Sequence, residues 1–409
     1  MESEQTRMVR DGGDPSKLPR DNSLQGRKYK PESRASFTVE SYWVDASLMH
    51  EWRDSAFPPE LEPEFTRVKN GARQLRLLVH PESHAFYKDV IAKAERAPDF
   101  IATATASGRT VLASPAGNPG LRFFVKLSLN KKLGGSLRTI KTSEVARSIG
   151  LSRVLAELNL PGFDYLPEVL GLSPKGIEGG GMIVRALPEK IVRGELLYIP
   201  LFALYGDGKG TLEPHLVRMI RESGDAPAEF IRTRILRPFA ALWAELALRG
   251  ITMEPHGQNM MIAIDRDGRL VSRFLFRDLG GFNVDFEHAA KHLSRLPILP
   301  TFTSVEGDYF VSKHKSYLQE SLNLYFVGAF VYDLDKRIAK WERQGLIPAA
   351  PRAYDHLQNA FRLEVERVLT VRAGRPVRLA DDYENIGDEI VKIRRDLKPA
   401  GACGRAAAG

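Results

Sequence analysis

"NMMIAIDRDGRLVSRFLFRD", residues 259–278, sets two apolar runs on either side of Asp-Arg-Asp-Gly-Arg. An Asp-Gly pair between β-prone segments is a strong signal for a tight hairpin turn, since glycine supplies the positive φ such turns need. The stretch predicts strands over "NMMIAI" (259–264) and "LVSRFLFRD" (270–278), paired antiparallel. Pairing of this kind brings the two open ends together. Asn259, immediately before the first apolar run, is therefore expected opposite Asp278, immediately after the second. "MEPHGQ" (253–258) delivers Glu254, His256 and Gln258 to the same mouth. Hard oxygen donors there suit Mg²⁺, which takes few protein carboxylates and completes its shell with phosphate and water. His256 is placed to meet a phosphate or a developing negative charge. One polar residue at such a junction is ordinarily a satisfied loop contact; the convergence of Glu254, His256, Gln258, Asn259 and Asp278 on one mouth favours a site.

Working outward, "AEFIRTRILRPFAALWAELALRG" (228–250) has the apolar periodicity of a helix that stops at Gly250, and Pro238 should kink or divide it. After residue 305 the pattern is mostly helical. Upstream, the order reverses. "RQLRLLVHP" (73–81), "FIATATASGRTVLAS" (100–114) and "LRFFVKLSLN" (121–130) read as strands, with the turn "PAGNPG" (115–120) between the last two. "SFTVESYWVDASLMHEW" (36–52) mixes a short strand with a helix start. "TSEVARSIGLSRVLAELN" (142–159) reads as a helix capped by Thr142 or Ser143, with Val145, Ile149, Leu155 and Leu158 on one face. More short strands follow over 160–215. Strands first and helices later, without βα alternation, argue for an α+β fold.

The 409-residue chain has room for more than one core. Residues 1–35 and 398–409 have the composition of disordered tails. No apolar run is long enough to span a bilayer and no early h-region marks a secretory signal. The single cysteine, Cys403, lies in the last tail, which excludes a disulfide framework and a thiol-ligated iron–sulfur or zinc centre. A cytoplasmic protein is expected. The net charge of +8 comes without a dense Lys/Arg block or a stacking-aromatic motif, so small anions are better partners than nucleic acid.

Three further features carry chemistry. In "FFVKLSLN" (123–130) alternation sets Phe123, Val125, Leu127 and Leu129 on one face and Lys126 on the other, in the middle of an apolar strand. A cation there needs a partner, for which a nucleotide phosphate and a core carboxylate are equal candidates. "SGRT" (107–110) and "SLRT" (136–139) bracket it. Each offers hydroxyls and a guanidinium fork, the donors that grip phosphate or carboxylate oxygens. "GIEGGGM" (176–182) lacks the Lys-Ser/Thr of a P-loop and reads as a hairpin or loop. "HPESH" (80–84) is as consistent with a structural histidine as with a ligand.

In this order the pieces resemble the aerobactin-synthetase-type family, the siderophore synthetases independent of non-ribosomal peptide synthetases. "ASGRTV" is similar to the family's Ser-x-Arg-Thr motif, "VKLSLN" to its following Lys-Leu strand, and "SLRT" to the arginine a dozen residues later. "EPHGQN" with "RDLGG" resembles the signature Glu-Ala-His-Gly-Gln-Asn followed by Arg-Asp. The resemblance covers roughly residues 75–395. It implies a cupped-hand fold, with β-rich fingers over 36–215 and a mostly helical palm over 216–397 that carries the 259–278 hairpin. It implies ATP-dependent adenylation of a carboxylic acid, commonly citrate, followed by condensation with an amine or alcohol. By the same resemblance Ser107, Arg109, Thr110 and Lys126 hold ATP phosphates. Arg138 and His256 meet the carboxylate and α-phosphate, Gln258 helps on the nucleotide side, and Glu254, Asn259 and Asp278 organise Mg²⁺. Arg138, His256 and Lys126 are then the catalytic set. Family members are longer at the N-terminus, with a His-Pro-x-His-Pro motif and a thumb-like domain; a reduced or absent thumb is expected here. The expected partners are small carboxylates and amines or alcohols, with neither nucleic acid nor membrane, and a homodimer is the assembly considered. Two other classes compete: a kinase-like phosphotransferase, against which Gln258 stands where a catalytic Asp would be, and a non-catalytic relative acting as a binding subunit.

Overall fold

The computed structural model describes residues 29, 35–105, 107, 109–133, 136–206, 213–289, 314–349 and 357–397. Apart from Tyr29 and Ala35, the tails expected at 1–35 and 398–409 lie outside the described residues. The chain forms two compact units. The first holds the described residues through Leu155 together with Tyr165–Glu195; the second holds Ala156–Asp164 and the described residues from Leu196 onward. The fold is mixed α+β.

The first unit is built on a nine-stranded sheet whose neighbouring strands are all antiparallel. Its strands are β1 (Ser36–Asp45), β2 (Met49–Arg53), β3 (Thr66–Lys69), β4 (Ala72–Val79), β5 (Glu95–Ala104), β6 (Thr110–Pro115) and β7 (Phe123–Leu127). A separate ribbon pairs β8 (Leu129–Leu133) with β9 (Ser136–Arg138), and β10 (Phe163–Tyr165) belongs to a later sheet. The ninefold set is completed by β11 (Glu168–Pro174) and β12 (Met182–Arg185), in the order β2-β11-β12-β7-β6-β5-β1-β4-β3. The sheet curls until its two ends meet through side chains. Glu51 on β2 accepts from both terminal nitrogens of Arg73 on β4, at 2.6 and 2.9 Å. Arg53 on β2 donates to Thr66 on β3 at 2.8 Å. Charged pairs thus cover edges that would otherwise offer free backbone to another chain.

Alternation decides which side is inside. Val111 and Ala113 on β6, and Phe123, Val125 and Leu127 on β7, enter one core with Phe65 and Phe100. The rings of Phe65, Phe100 and Phe123 lie 5.4–6.2 Å apart. The opposite face carries Lys126, and the helix Thr142–Ala156 packs on that face near Gly171. A Cβ at Gly171 would stand 2.3 Å from Val145 Cγ1, so only glycine admits the helix. Val145, Ile149 and Leu155 are buried there as expected; Leu158 lies beyond the helix end.

Two expectations need correction. "SFTVESYWVDASLMHEW" contains no α-helix start: β1 and β2 are joined by a single 3-10 turn, Ala46–Leu48, capped by Asp45 accepting from Ser47 N–H. Phe37, Val39, Tyr42 and Trp43 of this stretch belong to a ten-residue interior strand, flanked by β5 and β4. "FFVKLSLN" is two strands. It breaks at Ser128, whose hydroxyl donates to the Gly179 carbonyl and accepts from Ile140 N–H, turning the chain out of the large sheet.

The second unit has a four-stranded sheet ordered β10-β16-β15-β13, where β13 is Leu197–Pro200, β15 is Met260–Ile264 and β16 is Leu270–Phe276; a two-residue ribbon pairs β14 (Ile251–Thr252) with β17 (Asn283–Val284). The hairpin β15–β16 turns at Asp265–Arg269 with Gly268 at φ +80°. The predicted long helix is real and its proline is absorbed without a break. Pro238 cannot donate to the carbonyl four residues back. The segment Arg232–Leu236 widens to π geometry ahead of it, Arg237 N–H reaching Arg232 O, and Arg237–Leu248 then continues as α-helix. Phe239 of that helix meets Phe274, Phe326 and Phe361, uniting sheet and helices in one core.

Candidate active site

Each unit carries part of the predicted residue set. In the first unit, the β5–β6 connection is closed by Thr105, whose N–H and hydroxyl both donate to Thr110 O. Ser107 N–H donates to Thr105 Oγ1 at 3.2 Å, and Thr110 Oγ1 donates to Ser107 Oγ at 3.1 Å. The hydroxyls of Ser107 and Thr110 are thereby held together. Thr110 stands opposite Lys126 in the β6–β7 register, and Lys126 is buried at 7% exposure. Arg109 Nη1 donates to the carbonyls of Arg138 and Thr139 at 2.7 and 2.9 Å. The two Ser-x-Arg-Thr words are thus bound to one another beside Lys126. Ser107, Arg109, Thr110, Lys126 and Arg138 form one neighbourhood.

The second word is held from its other side by the glycine run. Ile140 N–H donates to Gly179 O at 3.0 Å and Gly181 N–H to Ile140 O at 2.9 Å. Gly179 sits at φ +81°, where a Cβ would meet Thr139 Cβ at 2.8 Å. "GIEGGGM" is a structural clasp in the β11–β12 connection. "HPESH" also has structural partners: His80 caps the 3-10 helix Pro81–Tyr87 by accepting from Glu82 N–H, and His84 Nε2 lies 3.2 Å from Tyr42 Oη. Burial, helped by the nearby Lys131 ammonium, pushes His80 down to about 4.

In the second unit, the chain from β14 to β15 wraps the open end of the hairpin. Arg277 N–H donates to Asn259 O at 3.1 Å, which fixes Asn259 beside the start of Arg277–Asp278. Asp278 caps the 3-10 turn Leu279–Gly281 by accepting from Gly280 N–H at 3.3 Å. Glu254 lies against Gly281, where a Cβ would be 2.9 Å from Glu254 Oε2. The His256 carbonyl accepts from Asn259 and Met260 N–H at 3.0 and 3.1 Å. Gln258 N–H donates to His256 Nδ1 at 3.3 Å, so neutral His256 carries its proton on Nε2 and offers a donor there. Glu254, His256, Gln258, Asn259 and Asp278 therefore do gather at one mouth.

Among the described residues no group of three or more His, Cys, Asp and Glu side chains is arranged to hold a metal. The mouth offers two carboxylates and an amide oxygen. That set fits Mg²⁺ sharing its shell with phosphate and water, and does not suit a fully protein-caged ion.

Several supports were invisible in local sequence. Asp164 on β10 accepts from Arg273 Nε and Nη2 at 2.6 and 2.9 Å and from Tyr198 Oη at 2.6 Å, bracing the sheet behind the hairpin. Burial and then this carboxylate push the Tyr198 hydroxyl far up and the Arg273 guanidinium is held charged. Phe202 N–H donates to Gly257 O, and a Cβ at Gly257 would meet Phe202 at 3.2 Å. These contacts join residues tens of positions apart, and no spacing rule announces them.

The fold is that of the siderophore synthetases, as the motifs implied. The chain matches aerobactin synthetase IucC from a hypervirulent pathotype of Klebsiella pneumoniae with a TM-score of 0.60 at 18% identity, covering 84% of this chain and 63% of that one. ATP-bound aerobactin synthetase IucA from the same organism matches at 0.60 and 16%, covering 90% and 67%. Petrobactin biosynthesis protein AsbB from Bacillus anthracis matches at 0.61 and 19%, covering 92% and 65%. The chain therefore spans about two thirds of the length of these solved relatives. Residues 234–324 match the family described as ferric iron reductase FhuF-like transporter. No curated protein matches by sequence. No helix among the described residues is long and apolar enough to cross a membrane.

Proposed function

We propose that the chain is an ATP-dependent carboxylate ligase of siderophore-type biosynthesis. A carboxylate oxygen of a polycarboxylic acid such as citrate attacks the α-phosphorus of ATP, the bond to pyrophosphate breaks, and an acyl-adenylate forms. An amine or alcohol then attacks the acyl carbon, AMP leaves, and the nucleophile loses its proton. Two anions must approach in the first step, so fixed cations and donors are what the chemistry requires. Ser107, Arg109, Thr110 and Lys126 take the triphosphate. The motif resemblance assigns Arg138 in the first unit, and separately the Nε2–H of His256 in the second, to the carboxylate and α-phosphate, with Gln258 on the nucleotide side. Glu254, Asn259 and Asp278 would hold Mg²⁺, which when bound supplies charge neutralisation. The reading adopts small-molecule substrates.

The observation that carries this reading is the bond from Arg109 to the backbone of Arg138 and Thr139, which gathers both Ser-x-Arg-Thr words around Lys126. The fold match to an ATP-bound synthetase adds support. The deciding experiment incubates the purified protein with ATP and Mg²⁺ against panels of carboxylates, then amines and alcohols. Acid-dependent release of AMP and pyrophosphate is expected. ADP would mean phosphoryl transfer instead, and absence of both ATP binding and turnover would mean a non-catalytic binding subunit. A reductase, as the description matched by residues 234–324 suggests, is disfavoured because Cys403 is the only cysteine in the sequence.

A further inference from the structure

We propose that Ser321, at the head of the π-helical segment Ser321–Val331, is a positioning residue for Glu254 and His256. Ser321 is 1% exposed and its hydroxyl serves two long-range partners. It donates to the Met253 carbonyl at 2.7 Å and accepts from Trp243 Nε1–H at 3.1 Å. A helical serine commonly turns its proton back onto the carbonyl one turn earlier in its own helix. Here the proton goes to a carbonyl in a different part of the unit. Trp243 is fully buried in the helix Arg237–Leu248, so it fixes the hydroxyl from behind and leaves the donor aimed at Met253.

Met253 is the last residue before the Glu254–His256 turn and is 2% exposed, so its carbonyl needs a partner away from water. Pro255 then restricts φ and brings no N–H of its own. A fixed Met253 carbonyl followed by a stiff Pro255 leaves Glu254 and His256 little freedom. The same segment makes a second contact: the Tyr325 ring lies 6.2 Å from the His256 imidazole, tilted by 45°. π geometry is costly and usually brief, and it recurs at functional sites. Here it spans eleven residues, anchored by Phe326 against Phe239 and Phe361 at 4.1 and 4.6 Å. The unit thus builds a bracket whose two inward contacts fall on Met253 and on His256, on either side of Glu254 and Pro255.

The test is amide hydrogen exchange on the full chain, read at Asn259 and Met260, whose N–H groups bond to the His256 carbonyl. Ser321→Ala should speed exchange at these two amides about tenfold, the loss expected when one buried hydrogen bond is removed. Ser321→Thr, which keeps the hydroxyl, should restore protection. Unchanged exchange in Ser321→Ala overturns the proposal, and so does loosening spread evenly over β15 and β16, which would mark general core damage. The activity arm rests on the ligase reading: Ser321→Ala should lower kcat for pyrophosphate release about tenfold with KM for ATP little changed. If the wild-type chain releases no pyrophosphate, that reading fails while the exchange measurement still decides the role of Ser321.

Discussion

Arg109 Nη1 bonds the carbonyl of Arg138 at 2.7 Å, joining two stretches of sequence 29 residues apart. The same nitrogen reaches Thr139 O, so one guanidinium holds the backbone on which Arg138 is mounted. Arg109 therefore acts on the cluster through the backbone of Arg138, besides the phosphate contact proposed for it. Arg109→Ala removes two charge-assisted bonds, each with a net contribution of about 1.5–3 kcal/mol. The glycine clasp at Gly179–Gly181 still holds Ile140, so the fold should survive. A drop of tenfold or more in ATP affinity is expected, measured by titration calorimetry. Arg109→Lys keeps the charge without the planar fork and should fall between the two. Wild-type affinity in Arg109→Ala would reduce the link to a structural detail.

The Glu168–Arg185 pair sits in the first unit's sheet with side-chain exposures of 0% and 3%. Both Nε and Nη2 of Arg185 converge on Glu168 Oε1, at 2.8 and 2.7 Å. Breaking such a pair strands a buried charge, at a cost of about 3–5 kcal/mol. Glu168→Gln should lower the urea midpoint accordingly with the slope unchanged. The double replacement Glu168→Leu with Arg185→Met should recover most of the loss, because an apolar pair carries no desolvation penalty. Failure of the double variant to recover would show that the charges also serve the neighbouring residues.

The hairpin shows what sequence makes visible and what it hides. The Asp-Gly turn and the two apolar runs are local, and the strands fall at Met260–Ile264 and Leu270–Phe276, within the stretches expected of them. The placing of Asn259 beside Arg277–Asp278 follows from that pairing, whereas Glu254, His256 and Gln258 are held there by further contacts, from Phe202 to Gly257 and from Ser321 to Met253. Lys126 on the face opposite the apolar core follows from alternation. By contrast, the break at Ser128 depends on Gly179, the curl of the sheet on Glu51 meeting Arg73, and the π turn on how the helix absorbs Pro238. The first two are settled by partners distant in the chain and the third by a choice of hydrogen bonding around a local proline, and neither periodicity nor propensity carries that information.

His80 is fully buried with its imidazole held neutral, pushed down to about 4 by burial and then by Lys131. Its unfolded value is near 6.5, so between those limits the unfolded chain binds the extra proton. Stability from this group is complete above pH 6.5 and is lost as pH falls toward 4, by something of order 3 kcal/mol. His80→Asn keeps an acceptor for Glu82 N–H without a titrating ring. Urea melts across pH 4 to 7.5 should show a shallower acid loss in His80→Asn. Parallel pH profiles for the two proteins would place the acid sensitivity elsewhere.

Gly281 sits where its absent Cβ leaves room for Glu254. An added methyl would come within 2.9 Å of Glu254 Oε2 and 3.2 Å of its Cβ. The carboxylate end can swing away by leaving its rotamer, at about 0.5–1.5 kcal/mol; the Cβ is fixed by the backbone, so its 3.2 Å contact needs a small backbone shift. Gly281→Ala should therefore cost little in thermal stability yet displace the carboxylate assigned to Mg²⁺, lowering pyrophosphate release well beyond the stability change. If displacement of Glu254 is the cause, Gly281→Ala should have almost no further effect on release in a Glu254→Ala background. Full additivity of the two replacements would mean that Gly281→Ala acts through some other contact. Raising Mg²⁺ separates the alternatives once more: excess metal should restore part of the release in Gly281→Ala, where the carboxylate is misplaced, and none in Glu254→Ala, where it is gone.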